Sequence, residues 1–399
     1  MKQLRLPFYL AFQYIRRGRK WTLVLTILLM TIAFVNLIFM PAFFNGIIDG
    51  ANKQIINTIT GDIYITPQNG KDYISDKESV LEKINSVDGV TAASAKTLVP
   101  ARLKYKNITG SWQVLAVNPD NDKNVSNISQ KIISGSYLSA GDIDKIVVGR
   151  QISGGPDVEE DAFSFKGAKV GDKVSLIFDG VVKEFVIKGI YDTNFVESDK
   201  RAFISEKSLE SINPIATGQA STINIRIADS ADQDNVMAAI EKLNLDGQIY
   251  SWQEATGIMK SVNSSFLSIN ILLSFTSILI AAVTILIIIY VTIINKRKEI
   301  GILRAIGIRP YIIVCSYVIL SAVYAIVGVL IGTLVFWSIL VPYFTAYPFS
   351  LPICDAVLVV SWTDYFIRLQ AIMLVSVFAG LLPAVIISRA PMLNAILGK

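Results

Sequence analysis

The pattern of hydrophobic and polar positions shows four long apolar stretches without charged residues, and these predict membrane-spanning helices. An α-helix needs about 20 consecutive apolar residues to cross the hydrocarbon core of a bilayer. Each stretch reaches that length, which a buried helix of a soluble protein rarely does. The predicted helices are residues 21–48, 261–295, 312–341 and 369–388.

The charges that flank these stretches predict their orientation. Six positive charges and no negative ones precede the first stretch, and residues 296–311 hold five positive charges against Glu299 alone. Cytoplasmic loops carry an excess of Lys and Arg. We therefore expect these segments and the 389–399 tail to be cytoplasmic, so that both termini lie there. Residues 1–20 have an aromatic stripe beside arginines, which favours an amphipathic helix lying on the membrane.

The segment 49–260, on the other side of the membrane, is predicted to be a large α+β domain. It holds 29 acidic and 23 basic residues, a net charge of −6. Alternating apolar residues at 61–67 indicate a strand, and residues 75–87 read as an amphipathic helix with a Ser75–Glu78 capping box. Residues 90–106 and 111–117 then read as two further strands. The strand–helix–strand pattern returns near the end of the segment. We expect one α+β subdomain from 49–117 and 222–260.

Between these flanks, residues 118–221 are predicted to form a β-rich insert. Two alternating runs meet at Asp179-Gly180 and indicate a β-hairpin, because this dipeptide suits a two-residue turn. Four acidic residues in the turn-rich stretch 153–167 read as a solvated loop rather than a calcium site, since their spacing fits no calcium-binding loop. They are Asp157, Glu159, Glu160 and Asp161.

Composition narrows the possible functions. Hydrophobic residues make up 52% of the 399 residues and charged residues 17%, which fits a mixture of membrane and soluble parts. The net charge of +5 is mainly an orientation signal, so we expect no nucleic-acid partner. Histidine is absent, which removes the commonest general base and metal ligand. Cys315 and Cys354 are predicted to lie too far apart for a disulfide. We predict no catalytic, cofactor or metal site in this chain.

The most informative motif is NKRKEIGILRAIGIR at residues 295–309. Ile300, Leu303 and Ile306, with Ile302, form a short helical apolar face, and charged residues form the other. Positive charges alone would be explained by membrane topology, but the apolar face would not. A short amphipathic helix between two membrane helices must lie on the membrane or bind a partner.

The segment KRKEIGILRAIG closely resembles the cytoplasmic signature of the FtsX-like ABC transporter permeases, the group that includes MacB and the lipoprotein-releasing Lol permeases. AFQYIRRGRKWTLVLT resembles the family's basic entry into the first helix. GLLPAVIISRAPMLNAIL resembles the family's C-terminal ending, although Met392 alters its spacing. VVGRQIS, KVGDKVSLIF and YSWQE look like parts of the external domain of Lol-type permeases. The likeness spans nearly the whole chain.

The resemblance implies that residues 296–311 are a coupling helix that binds a cleft of a separate ATP-binding subunit. The implied ATPase-coupling residues are Lys298, Glu299, Ile300, Leu303, Arg304 and Ile306. The chain has no G-x-x-x-x-G-K-[ST] phosphate loop, so ATP would act only through that partner. The resemblance also implies a second permease copy or paralogue and an extracytoplasmic carrier or adaptor protein. It implies a multi-pass protein of the inner (cytoplasmic) membrane that handles lipoprotein, lipid or peptide-like cargo by mechanotransmission.

Two further features concern the membrane part. Gly328 and Gly332 are spaced for close helix packing, with no particular partner helix implied. Asp355, Asp364 and Arg368 belong to or border the predicted external loop 342–368. We interpret them as ordinary interfacial charges rather than polar gates.

Two other functions remain open at this stage. An FtsX-like signalling scaffold would use the same motion to activate an extracytoplasmic cell-wall hydrolase. A membrane-anchored binding protein would need one helix rather than four, and it would leave residues 295–309 unexplained.

Overall fold

The computed structural model describes residues 2–17, 20–155, 158, 163–229, 232–255 and 257–389. The acidic residues of the 153–167 loop and nearly all of the 389–399 tail lie outside these residues. The chain divides into two compact units. We call residues 1–48, 264–349 and 356–399 the helical unit, and residues 49–263 and 350–355 the sheet domain.

Fourteen helices are described along the chain. They are α1 (Lys2–Arg17), α2 (Lys20–Ile55), α3 (Lys77–Asn85), α4 (Pro119–Val125), α5 (Arg150–Ser153), α6 (Val196–Asp199), α7 (Glu206–Glu210), α8 (Gln233–Glu241), α9 (Trp252–Ala255), α10 (Gly257–Asn295), α11 (Arg297–Ala305), α12 (Pro310–Val335), α13 (Val341–Ala346) and α14 (Trp362–Arg389). A π-helical turn, Ile56–Thr60, extends α2, and a second one, Phe336–Leu340, joins α12 to α13.

Three helical stretches of the described residues are long and apolar enough to cross a membrane: Lys20–Thr60, Pro310–Ala346 and Trp362–Ile386. They correspond to the first, third and fourth predicted spans. The described apolar stretch of α10, Ile271–Thr284, is shorter. The helix that contains it, α10, nevertheless runs for 39 residues, more than the roughly 20 needed to cross a bilayer.

Close packing of α12 against α2 occurs at the two glycines of the predicted packing motif. A Cβ atom at Gly328 would lie 2.7 Å from the Cβ of Met30, and one at Gly332 would lie 2.8 Å from a ring carbon of Phe34. Met30 and Phe34 are buried in the hydrophobic cluster of the helical unit. A larger side chain at either glycine would force the two helices apart.

One mixed sheet of twelve strands dominates the sheet domain. The strands are β1 (Ile63–Thr66), β2 (Val90–Val99), β3 (Arg102–Tyr105), β4 (Ile108–Gly110), β5 (Gln113–Val117), β6 (Ile132–Gly135), β7 (Lys145–Gly149), β8 (Lys173–Phe178), β9 (Val181–Tyr191), β10 (Arg201–Ser205), β11 (Thr222–Ile227) and β12 (Gln248–Ser251). Their order is β12-β1-β11-β2-β5-β10-β7-β9-β8-β3-β4, and β6 pairs with β9.

The predicted hairpin is confirmed as the pair β8 and β9, which are antiparallel with Phe178 opposite Val181. Asp179 and Gly180 both have positive φ, 45° and 80°, as a type I′ turn requires. The Asp-Gly pair adopts this geometry at low cost, so the local sequence alone determines the turn.

Two details of the predicted domain were wrong. The capping box at Ser75–Glu78 is absent, because α3 begins after Asp76, whose left-handed backbone (φ 50°) makes no side-chain cap. The continuous strand predicted across 90–106 is broken at Pro100, which has no N–H to donate to a neighbouring strand. As a result β3 leaves the predicted flanking subdomain and pairs with β8 of the insert.

A buried ion pair joins the strand β2 to the helix α4 in the sheet domain. Asp122 is fully buried and Lys96 is 2% exposed, and the Lys96 Nζ lies 3.3 Å from the Asp122 Oδ1 without hydrogen-bond geometry. The Asp122 Oδ2 accepts hydrogen bonds from the Tyr137 hydroxyl (2.6 Å) and the Ser126 hydroxyl (2.8 Å). This carboxylate therefore organises α4 against β2.

Residues 350–355, from the predicted external loop, pack within the sheet domain. They form a turn between two short strands, β13 (Phe349–Ser350) and β14 (Asp355–Ala356). The Asn194 amide donates to Asp355 Oδ1 at 2.8 Å, and the Val196 N–H donates to the Pro352 carbonyl at 3.3 Å. Asp355 is therefore held by hydrogen bonds rather than being an isolated interfacial charge. Neither Cys315 nor Cys354 forms a disulfide bond.

Asp199 gives the sheet domain a pH dependence. Its carboxylate is 3% exposed, and burial raises its pKa from 3.8 to about 7 although the Thr193 N–H and hydroxyl donate to it. A raised folded pKa contributes stability that is fully present below about pH 4 and is lost as the pH rises to about 7. We expect the free energy of unfolding to fall by up to about 4 kcal/mol across that window.

Asp199→Asn should flatten this pH dependence, because asparagine does not titrate. Chemical unfolding of the sheet domain in the intact chain, followed from pH 4 to pH 8, measures it. The matched control is Asp179→Asn, which changes an exposed turn carboxyl and should leave the slope unchanged. Equal slopes in the wild type and Asp199→Asn would contradict the assignment.

Candidate coupling surface

The α11 helix ends in a set of backbone hydrogen bonds that terminates it at a fixed residue. It begins at Arg297 after Lys296, and its C-cap is Ile306. The Gly307 N–H donates to the Arg304 carbonyl (3.0 Å), and the Ile308 N–H donates to the Leu303 carbonyl (3.1 Å). These two bonds define a Schellman motif, in which Gly307 adopts φ 96°. Pro310 then starts α12 at the first position of that helix.

One face of α11 packs into the helical unit. Ile300 is 1% exposed and belongs to the same hydrophobic cluster as Ile293 and Ile313. Leu303 and Ile308, which the Schellman motif brings together, pack against that cluster. Both Ile300 and Leu303 were predicted to be ATPase-coupling residues. In the structure Ile300 is buried and Leu303 is partly buried, so both anchor α11 to its own chain.

The opposite face of α11 is exposed. Ile306 is 75% exposed and Ile302 is 54% exposed, and the side chains of Lys298 and Glu299 are also exposed. Arg304 is half-buried and engaged in an interaction. Two isoleucines on a firmly anchored helix, bordered by charged groups, form a small surface suited to an apolar cleft with a polar rim.

The N-terminal helix α1 braces the start of α11. The Lys296 Nζ lies 3.0 Å from the Glu299 Oε2 and 4.6 Å from the centroid of the Tyr14 ring. Tyr14 in turn stacks on Tyr317 of α12, with 5.2 Å between the ring centroids. The junction between α10 and α11 is therefore held by a cation–π contact and an ion pair.

The predicted stripe on α1 is divided between two environments. Phe8 and Phe12 are about 60% exposed, whereas Ala11 is buried and Ile15 packs against the hydrophobic cluster. The exposed aromatic rings fit a helix that lies in a membrane interface. Sequence reasoning missed Tyr14 as a contact to the coupling segment. Its position about one helical turn after Ala11, and next to Ile15, was the available signal.

No group of three or more His, Cys, Asp or Glu residues among those described is arranged to hold a metal ion. The described α11 surface is suited to binding a protein. Long apolar helices together with a large sheet domain define the class: a membrane protein that carries one large folded domain.

Comparison with known proteins specifies that class. The MacB-like periplasmic core domain matches residues 23–243, and the FtsX-like permease C-terminal domain matches residues 271–392. The chain belongs to the FtsX-like family of ABC transporter permeases, of the MacB and LolC type.

The individual relatives share little sequence identity with this chain. The lipoprotein-releasing system transmembrane protein LolC of Buchnera aphidicola subsp. Schizaphis graminum is 21% identical over 328 residues, covering 82% of this chain and 80% of LolC. The periplasmic region of MacB from Actinobacillus actinomycetemcomitans has a TM-score of 0.37 at 12% identity, covering 52% of this chain and 95% of that structure. The extracellular domain of the ABC-type transporter YknZ from Gram-positive bacteria has a TM-score of 0.35 at 11% identity, covering 47% of this chain and 98% of that structure.

Proposed function

We propose that this permease couples a separate cytoplasmic ATP-binding subunit to its sheet domain, which handles lipoprotein, lipid or peptide-like cargo on the other side of the membrane. The observation that carries the proposal is the division of α11 into an anchored face and an exposed face. Ile300 fixes the helix to the helical unit, while Ile306 and Ile302 remain available to the partner. Because Ile300 packs with Ile293 of α10 and Ile313 of α12, a force applied to α11 moves these two helices as well.

Four spans with both termini in the cytoplasm fit this role. The second of these spans is α10, whose 39 residues exceed the roughly 20 needed to cross a bilayer. With this arrangement α11 is cytoplasmic, and the sheet domain lies outside the inner membrane.

Long helices lie on both sides of the sheet domain in the chain. The α2 helix runs into the π-helical turn that ends at Thr60. The α10 helix starts at Gly257, six residues after β12 ends at Ser251. A continuous helix transmits a displacement along its axis. We therefore propose mechanotransmission as the mode of action, with ATP bound only by the partner.

A second permease copy or paralogue completes the proposed transporter, and an extracytoplasmic carrier or adaptor receives the cargo. Gly328 and Gly332 contribute to the packing of α2 against α12 within one chain. The exposed apolar side chains of α10 are left for lipid or for the second permease.

Site-directed cross-linking tests the proposal. A photoactivatable cross-linker attached at Ile306→Cys, in a chain whose Cys315 and Cys354 are replaced by serine, should capture an ATP-binding protein in membranes of the source cell. The control position is Tyr347→Cys, which is 69% exposed in the predicted external loop and should capture no ATP-binding protein. Capture at Tyr347, or no such product from Ile306, would contradict the proposed function.

A further inference from the structure

Arg368, near the start of α14, is a buried charge beside the apolar part of that helix. It is only 8% exposed, so it is not the solvated charge expected of an ordinary interfacial residue. Its neighbour Asp364, one helical turn earlier, has a side chain that is 41% exposed. A buried ionisable residue at a membrane helix is costly to retain, which makes a role for it the first hypothesis.

The polar contacts of Arg368 and Asp364 join three helices. The Arg368 Nη1 donates to the backbone carbonyl of Asp364 at 3.2 Å and lies 3.7 Å from its carboxylate. The Asn45 amide of α2 donates to the same carboxylate at 3.3 Å. The Arg368 Nη2 donates to the Ser274 hydroxyl of α10 at 3.1 Å. We call these four residues the three-helix clamp.

The side of the clamp that holds α2 is reinforced by the backbone. The Val359 N–H, just before α14, donates to the Ala42 carbonyl at 3.0 Å. A Cβ atom at Gly46 would lie 1.7 Å from the Val357 carbonyl oxygen, so the chain crosses α2 in direct contact. The α2 and α14 helices are therefore fastened to each other by more than side chains.

The contact with α10 is of another kind. It is a single hydrogen bond between the guanidinium of Arg368 and the neutral hydroxyl of Ser274. A small rotation of either side chain can break it. The Arg368 Nε has no hydrogen-bond partner among the described residues, and Arg368 lines a small cavity with Asn45 and Asp364. An unsatisfied buried donor makes this arrangement less favourable than a fully bonded one. The contact with α10 is therefore the weaker side of the clamp.

Ser274 is 21 positions from Asn295, the end of α10. That separation corresponds to roughly 31 Å of helix, about the thickness of the hydrocarbon core. In the proposed topology Ser274 therefore lies near the membrane surface opposite α11, where α10 leaves the bilayer.

We propose that Arg368 is a positioning residue that fixes the outer end of α10 to α14, and that this contact opens when α10 moves during the transport cycle. The proposal rests on the proposed function for its place in that cycle. Arginine suits the role better than lysine, because its planar fork reaches Asp364 and Ser274 together from one position.

The first experiment measures the position of α10 in the chain alone. Spin labels at Ile271→Cys and Ile367→Cys, both exposed positions, report the separation of α10 and α14 in lipid nanodiscs, with Cys315 and Cys354 replaced by serine. The wild type should give one short-distance population. Ser274→Ala should raise the long-distance population about tenfold or more, since it removes a hydrogen bond to a charged group.

Two variants separate the clamp from a general effect on α10. Ser274→Thr keeps the hydroxyl and should restore the short distance. Thr276→Ala removes a hydroxyl that bonds only to the Leu272 carbonyl of its own helix, so the distances should stay as in the wild type. If Ser274→Ala and Thr276→Ala give the same distances, the clamp does not position α10 and the proposal is overturned.

The second experiment uses the complex with its ATP-binding subunit. In the wild type, ATP should shift the label distances toward those of Ser274→Ala, and Arg368→Gln should show the long distance with or without ATP. Unchanged distances during ATP hydrolysis would overturn the release step. If no ATP-binding subunit joins the complex, the proposed function fails, while the chain-alone distances still decide whether Arg368 positions α10.

Discussion

Ile306→Asp should weaken binding of the ATP-binding subunit at least roughly tenfold while the protein inserts and folds normally. Burying an isoleucine side chain stabilises a complex by about 1.5–3 kcal/mol, and the aspartate adds the cost of burying a charge. Ile306 is 75% exposed, so its own chain loses little from the change. Affinity of the purified permease for the subunit, measured in nanodiscs, gives the result.

Variants at neighbouring positions make that result specific. Ile306→Leu keeps an apolar side chain and should bind almost as the wild type does. Glu299→Lys and Arg304→Glu alter the charged border of the same surface and should also uncouple ATP hydrolysis. Ile300→Ser should instead destabilise the helical unit, because Ile300 is buried. Normal binding by Ile306→Asp would show that the partner does not contact this face.

Asp122→Ala should destabilise the sheet domain by about 3–5 kcal/mol, the typical cost of removing one partner from a buried ion pair. The substitution leaves the Lys96 ammonium buried without its counter-charge and removes the acceptor of the Tyr137 and Ser126 hydroxyls. Urea unfolding of the intact chain, monitored by fluorescence of Trp112 in the sheet domain, measures the change.

The matched control is Asp120→Ala in the same helix. Its carboxylate is 68% exposed and pairs with Lys123 three residues on, an interaction worth about 0.5 kcal/mol. Adding Lys96→Met to Asp122→Ala should recover part of the loss, because the unpaired charge is then removed. Equal effects of Asp122→Ala and Asp120→Ala would show that the buried pair contributes no more than a surface pair.

Features with a local physical cause could be predicted from the sequence. The apolar length of the membrane helices and the Asp179-Gly180 turn depend on residues adjacent in the chain, so the sequence contains all the required information. The strand order could not be predicted in the same way. Whether β3 pairs with β8 rather than staying beside β2 depends on contacts between residues about 70 positions apart.

In α11, too, the part of the structure that depends on contacts with other helices could not be predicted from the sequence. Helical periodicity places Ile300, Leu303 and Ile306 in one apolar stripe, yet the structure buries the first and exposes the last. Periodicity identifies which residues share a face, and the neighbouring helices determine how much of that face is covered. The burial of Arg368 could not be predicted from the sequence either. It depends on Asn45 and Ser274, which belong to helices far from Arg368 along the chain.

Hydrogen–deuterium exchange of the reconstituted complex tests the central claim, that events at α11 reach the sheet domain. The segments that connect the helices to the domain, residues 48–60 and 248–263, should change their exchange when ATP is added to the wild-type complex. With Ile306→Asp they should not change. Exchange in these segments that is identical with and without ATP, in a complex that is hydrolysing ATP, would contradict mechanical coupling.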